Sequence, residues 1–138
     1  MPEGMKIKIY YEDTDANGVV YHANYLRYME RARTELLVDM GHDPARYHNE
    51  GHSFVVTAVD IKFRHPARLG ETIEIRTELG YMKRASMMLR QRCLRDETLL
   101  AEADVTVAFL DSKGKPRRFP QELSDKIKKL QKSDTSSG

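Results

Sequence analysis

The chain has 138 residues, 40% of them apolar and 32% charged, which fits one domain with a single core beneath a highly charged surface. Its formal net charge is only +2, with acidic and basic residues interspersed. This weighs against a nucleic-acid binder, which would concentrate an excess of Lys and Arg on one face. No apolar run is long enough to span a bilayer, and the start "MPEGMKIKIYYEDTD" carries charges throughout with no apolar leader. The only cysteine, Cys93, has no partner for an intrachain disulfide and suits a reducing cytoplasm.

"MKIKIYYE" alternates, with Met5, Ile7, Ile9 and Tyr11 on one face, and predicts a half-buried strand. After "DTDANG" the period changes. Tyr25, Met29, Ala32, Leu36 and Met40 form a helical stripe beginning at Asn24, and Gly41 is a plausible stop. "HDPARYHNEGH" reads as a loop with one helical turn after Pro44. "SFVVTAVDIKF" carries Val55, Val59, Ile61 and Phe63 at even spacing, and "ETIEIRTEL" alternates with Ile73, Ile75, Thr77 and Leu79 on one side. "RASMMLRQRCL" and "LLAEADVTVAFL" repeat the pattern around "RDET", a tight-turn length that predicts an antiparallel hairpin. "DSKGKPRRFP" is a turn, "QELSDKIKKLQ" a charged helical segment, and "KSDTSSG" has nothing to bury.

One strand, one long helix, four long strands and a terminal helical piece make an α+β fold: an antiparallel five-stranded sheet with the helix on one face. The domain is expected to span residues 1–132, with residues 133–138 as a flexible tail. One helix cannot cover five long strands completely, so a dimer or larger assembly is expected to bury the remainder.

The residues able to do chemistry cluster in "DTDANGVVYHANY". Asp13 and Asp15 end the first strand, and an Asx turn would account for either of them. However, Asn17-Gly18 can turn the chain sharply, and Val19 to Tyr21 then lead to a helix start. That brings a carboxylate close to free backbone N–H groups able to hold developing negative charge, as ester or thioester hydrolysis requires. His22 is either an acid/base side chain or a packing residue of which only the backbone N–H matters, and the second reading is favoured slightly. Asn24 reads as a helix N-cap or a brace for the turn. His42, His48, His52 and His65 lack close metal-ligand spacing. Ser53 and Ser86 lack a nucleophile elbow, and no P-loop or G-x-G-x-x-G calls for a nucleotide cofactor. Cys93 alternates inward on its strand and belongs to the core.

The stretch "YYEDTDANGVVYHANYLRYMERARTELL" resembles the signature of the 4-hydroxybenzoyl-CoA thioesterase family, most closely the acyl-CoA thioesterases associated with the Tol-Pal genes of bacteria. "VVTAVDIKFRHPARLGETIEIRTEL" resembles that family's second and third strands, and the likeness runs from about Lys6 to Phe109. The resemblance implies a hot-dog fold, a sheet wrapped around one long helix and paired into homodimers or homotetramers. It implies Asp15 as the catalytic carboxylate, the His22 backbone N–H as oxyanion donor, sites at the dimer interface, and a small acyl-CoA as substrate, with no cofactor or metal. Arg64, Arg68, Lys83 and Arg84 could meet coenzyme A phosphates or could be ordinary charged surface. Two rival readings stand beside this one. In the first, a hot-dog dehydratase or thioesterase uses a helix carboxylate, Glu30 or Glu35. In the second, a non-catalytic acyl-CoA-binding scaffold docks through "KIKKLQK".

Overall fold

The computed structural model describes residues 4–131; the expected tail at 133–138 lies outside them. Strand β1 (Met5–Lys8) leads through a 3-10 turn (Tyr11–Asp13) into the long helix α1 (His22–Asp39) and the short helix α2 (Pro44–Asn49). Strands β2 (His52–Phe63), β3 (Thr72–Met82), β4 (Ser86–Arg95) and β5 (Thr98–Asp111) follow, then helix α3 (Gln121–Lys128). The strands form one antiparallel sheet in the order β1-β3-β4-β5-β2. The β4–β5 hairpin predicted from "RDET" is present, and Asp96 takes the positive φ of 54° that its tight turn requires.

The inner face of the sheet is built from the alternating residues: Ile73, Ile75 and Leu79 of β3, and Ala101, Ala103, Val105, Val107 and Phe109 of β5, are all buried. Against them α1 buries Tyr25, Tyr28, Met29, Ala32 and Leu37. The stripe is wider than predicted, since Tyr28 and Leu37 join it while Leu36 and Met40 are only partly buried. Helix α3 shares the covering task, with Leu123 and Ile127 fully buried. Its Lys126 Nζ donates to the Met40 carbonyl at 2.6 Å, placing a cation on the C-terminal end of α1, where the helix dipole favours it.

One expectation is corrected here. Tyr11 does not lie on the inner face of the first strand: it is 80% exposed in the 3-10 turn. Strand β1 pairs with β3 only over Met5–Lys8, and the Asp13 carboxylate accepts the Tyr10 N–H at 2.8 Å, turning the chain away once Ile9 is buried. In β2 the evenly spaced Val55, Val59 and Phe63 are 36%, 41% and 42% exposed, apolar surface that the single chain leaves uncovered. That strand lies at the sheet edge, pairs only with β5, and carries a bulge between Val56 and Ala58 that breaks its alternation.

Two polar side chains are buried among the described residues, His42 and Gln91. Gln91 is fully buried on β4, donates to the Met29 carbonyl of α1 (2.9 Å) and to Thr77 Oγ1 (3.1 Å), and accepts from Arg33 Nη1 (2.9 Å). It thereby fixes the helix on the sheet at a set position, which apolar packing alone does less sharply. Cys93, as read, is core, and burial pushes its thiol up to about 12. Replacing Gln91 by Leu removes all three bonds and leaves the partly buried Arg33 guanidinium without that acceptor. The expected cost is about 1–3 kcal/mol, read as a lower urea midpoint at unchanged slope; a variant as stable as the parent would refute the bracing role.

Candidate active site

Between the 3-10 turn and α1 the chain makes a small stapled loop. Thr14 and Val20 form an isolated antiparallel bridge. The Asp15 N–H donates to the Val19 carbonyl (2.9 Å), and the Gly18 N–H donates to the Asp15 carbonyl (3.0 Å). Gly18 has φ 76°, a conformation that favours glycine and that the Asn-Gly pair predicted. Asp15 Oδ1 accepts the N–H groups of Asn17 (2.8 Å) and Val19 (3.3 Å). The carboxylate is thus an exposed Asx turn in which one oxygen is engaged and Oδ2 has no partner among the described residues.

The loop is seated on the β2–β3 connection. Val20 N–H donates to the Ala67 carbonyl (2.9 Å) and Leu69 N–H to the Gly18 carbonyl (3.0 Å). The buried Ala67 N–H in turn donates to Tyr25 Oη of α1 (2.9 Å). Burial is the main cause of the raised Tyr25 phenol.

Helix α1 starts at His22, earlier than the predicted Asn24, and its N-cap residue is Tyr21, whose side chain makes no capping hydrogen bond. The His22 and Ala23 N–H groups have no acceptor among the described residues, and the Asn24 N–H turns back to the Tyr21 carbonyl (2.9 Å). Asn24 is therefore not the N-cap. The alternative reading, a brace, holds: its Nδ2 donates to the Asp13 carbonyl at 2.8 Å. The His22 ring lies over Phe63 at 4.5 Å between centroids, and Phe63 also meets Tyr25 edge-on at 5.5 Å. Beside them opens a cleft of ≈ 170 Å³, lined by Val19, His22, Tyr25, Phe63, Arg64 and His65 among others. Tyr28, one turn beyond Asn24, buries its hydroxyl without a hydrogen-bond partner. Burial, and after it the negative charge of Asp13, raises this phenol.

Other candidates lie elsewhere. Glu30 and Glu35 are exposed on α1, roughly 12 and 20 Å along the axis from His22 at 1.5 Å per residue. Glu35 instead lines a groove of ≈ 490 Å³ with Leu36, Asp39, Ile75, Arg92 and Leu130. Arg64 flanks the cleft but pairs with Glu102 at 3.7 Å, and the Arg68 backbone bridges to Val19 of the loop. Lys83 and Arg84 follow the far end of β3, an 11-residue strand of roughly 35 Å. Of the "KIKKLQK" segment, Ile127 and Leu130 are buried in the core. What the sequence reading missed is the aromatic partner of His22. Nothing local to residue 22 signals a contact with residue 63.

A sheet of this order curled about one long helix is the hot-dog architecture. The model of the thioesterase-like superfamily matches residues 10–127. The acyl-CoA thioester hydrolase YbgC of Escherichia coli O157:H7 is 42% identical over 124 residues, covering 88% of this chain and 92% of that protein. The acyl-CoA thioesterase YbgC of Haemophilus influenzae is 40% identical over 119 residues, covering 85% and 88%. Among solved structures, a probable thioesterase from Bartonella henselae superposes with a TM-score of 0.79 at 36% identity, covering 84% of this chain and 97% of that one. The chain belongs to the thioesterase-like superfamily and is a hydrolase with the hot-dog fold.

The packing of His22 on Phe63 makes a prediction for its side chain. In His22→Ala the backbone donor survives, so kcat/KM should fall by less than about tenfold, short of the 10²–10⁴ that loss of a general acid or base costs. A larger loss, with a pH–rate limb near ~6.5 in the parent, would assign the imidazole itself to the reaction.

Proposed function

We propose that the protein hydrolyses the thioester of a small acyl-CoA, aliphatic or aromatic, to the free acid and coenzyme A. Asp15 serves as nucleophile or general base, and the His22 backbone N–H as oxyanion donor. The observation that carries this reading is one juxtaposition: a loop stapled through Asp15 Oδ1 runs directly into a helix start whose first N–H groups are unsatisfied. The names of the relatives at 40–42% identity supply the substrate class.

The chemistry needs little else. A thiol of pKa ~8.5 leaves as thiolate near neutral pH without a general acid. What the protein must provide is an attacking group and a place for the oxyanion, and one such donor is typically worth ~3 kcal/mol. With Oδ1 held by Asn17 and Val19, Asp15 Oδ2 is the atom available to attack the carbonyl carbon. Attack forms a mixed anhydride as the C–S bond breaks, and water then cleaves the anhydride to the acid and the free carboxylate. In the general-base version the same oxygen takes a proton from the attacking water.

The same reading includes a symmetric homodimer as the minimal unit, with the Asp15 of each protomer near the interface, and a dimer of dimers above it. Strand β2 is 12 residues long, has its outer edge unpaired, and exposes Val55, Val56, Val59 and Phe63. Such an edge invites pairing with a second copy, and Phe63 links it to His22. One domain over residues 1–132, working in the cytoplasm, completes the proposal. Among the described residues no helix is long and apolar enough to cross a membrane.

A thiol-release assay over acyl-CoA chain lengths tests the activity. Asp15→Asn should keep fold and assembly yet lose several orders of magnitude in turnover, whereas Asp13→Asn and Glu30→Gln should lose far less. Abolition by Glu30→Gln with Asp15→Asn still active would move the chemistry to the helix carboxylate. Light scattering of the active protein should give at least twice the chain mass of 16.0 kDa; a monomer at assay concentration would remove the shared interface.

A further inference from the structure

We infer that Asn24 is a positioning residue, whose side-chain amide sets the Asp15 loop against the oxyanion donors of α1. The inference rests on the proposed roles of Asp15 and the His22 N–H.

The two halves of the site belong to different segments. The carboxylate rides on the loop closed by the Thr14–Val20 bridge, and the donors belong to the first turn of α1. That bridge closes the loop on itself but says nothing of its distance from the helix. Two bonds do, and both end on the Asp13 carbonyl, two residues before Asp15. The Tyr21 N–H reaches it at 3.3 Å, a long contact, and Asn24 Nδ2 reaches it at 2.8 Å. A backbone carbonyl only accepts, so the atom facing it is the amide nitrogen of Asn24.

The direction of that amide matters as much as its length. Asparagine near a helix start ordinarily turns its oxygen onto the free N–H groups of the first turn. Here Asn24 is the third residue of α1 and its side chain reaches back to Asp13. The His22 and Ala23 donors are left open. One side chain therefore fixes the loop and keeps the oxyanion position vacant. The Asp13 side chain plays no part in the Asn24 bond, consistent with a mild effect of Asp13→Asn.

The test is Asn24→Asp, nearly isosteric but with a carboxylate oxygen facing the Asp13 carbonyl, assayed beside Asp15→Asn. A small misplacement of reacting groups costs up to about 10²-fold, so kcat should fall about ten- to hundredfold with KM within about twofold. The circular dichroism spectrum and oligomer mass should be unchanged. A merely structural bond would lower the melting temperature and leave kcat of the folded protein intact. If Asp15→Asn is inactive while folded Asn24→Asp keeps kcat within about twofold of the parent, the inference is overturned and the Asp15 reading stands. If Asp15→Asn keeps full turnover, it is that reading which fails. Should Asn24→Asp not fold, Asn24→Ala is read in the same way. Failure of both to fold would overturn the inference, because the bond would then be a folding contact and not a positioning one.

Discussion

The two ends of helix α1 are treated differently, and the site follows from that asymmetry. An α-helix leaves its first N–H groups and last carbonyls without internal partners, with partial positive charge at the start and negative charge at the end. At the C-terminal end the Met40 carbonyl receives Lys126 Nζ, and Gly41 at φ 84° takes the left-handed turn that closes the helix. At the N-terminal end Tyr21 occupies the cap position without capping, where Ser, Thr, Asp or Asn would stabilise the helix by about 0.5–2 kcal/mol. The His22 and Ala23 donors remain available to a ligand because that stabilisation is forgone.

An open helix start must be held in place by something other than a cap. Tyr25 receives the buried Ala67 N–H, and Asn24 holds the Asp13 carbonyl, so adjacent residues of α1 grip the two loops on either side of it. Further along, Gln91 of β4 takes hold of the Met29 carbonyl and Arg33. These are hydrogen bonds between buried or half-buried groups, which makes their geometry specific and their loss costly. The rest of the helix is held by non-directional apolar burial along Tyr25, Met29 and Ala32.

Strand β2 has the opposite character. Its Val55, Val59 and Phe63 are evenly spaced like the apolar residues of β5, yet they stay exposed because the strand stands at the edge of the sheet. Alternation measures only that one face is apolar; it cannot distinguish a face turned to this chain's core from one left for another surface. Phe63 belongs to that edge and packs against His22, so the end of β2 stands beside the helix start.

The α+β architecture, the β4–β5 hairpin, the extra turn after Pro44 and the buried place of Cys93 were legible in the sequence, since each depends on local periodicity, turn chemistry or proline geometry. The hot-dog family was legible too, as a resemblance carried by the motif from Asp15 through Gly18 to Asn24 and Tyr25. Tyr11 was misread because alternation cannot see where a partner strand ends: β3 pairs with β1 only as far as Lys8. The packing of Phe63 against His22, the grip of Gln91 on Met29 and the cap that Lys126 supplies to Met40 were not legible. Each joins residues tens of positions apart, and no local preference carries that distance. The sequence by itself determined the elements and the acidic loop before the helix. Only the tertiary structure decided that Asn24 turns away from the N–H groups beside it, because the acceptor that draws it, the Asp13 carbonyl, reaches it only when the loop is folded back.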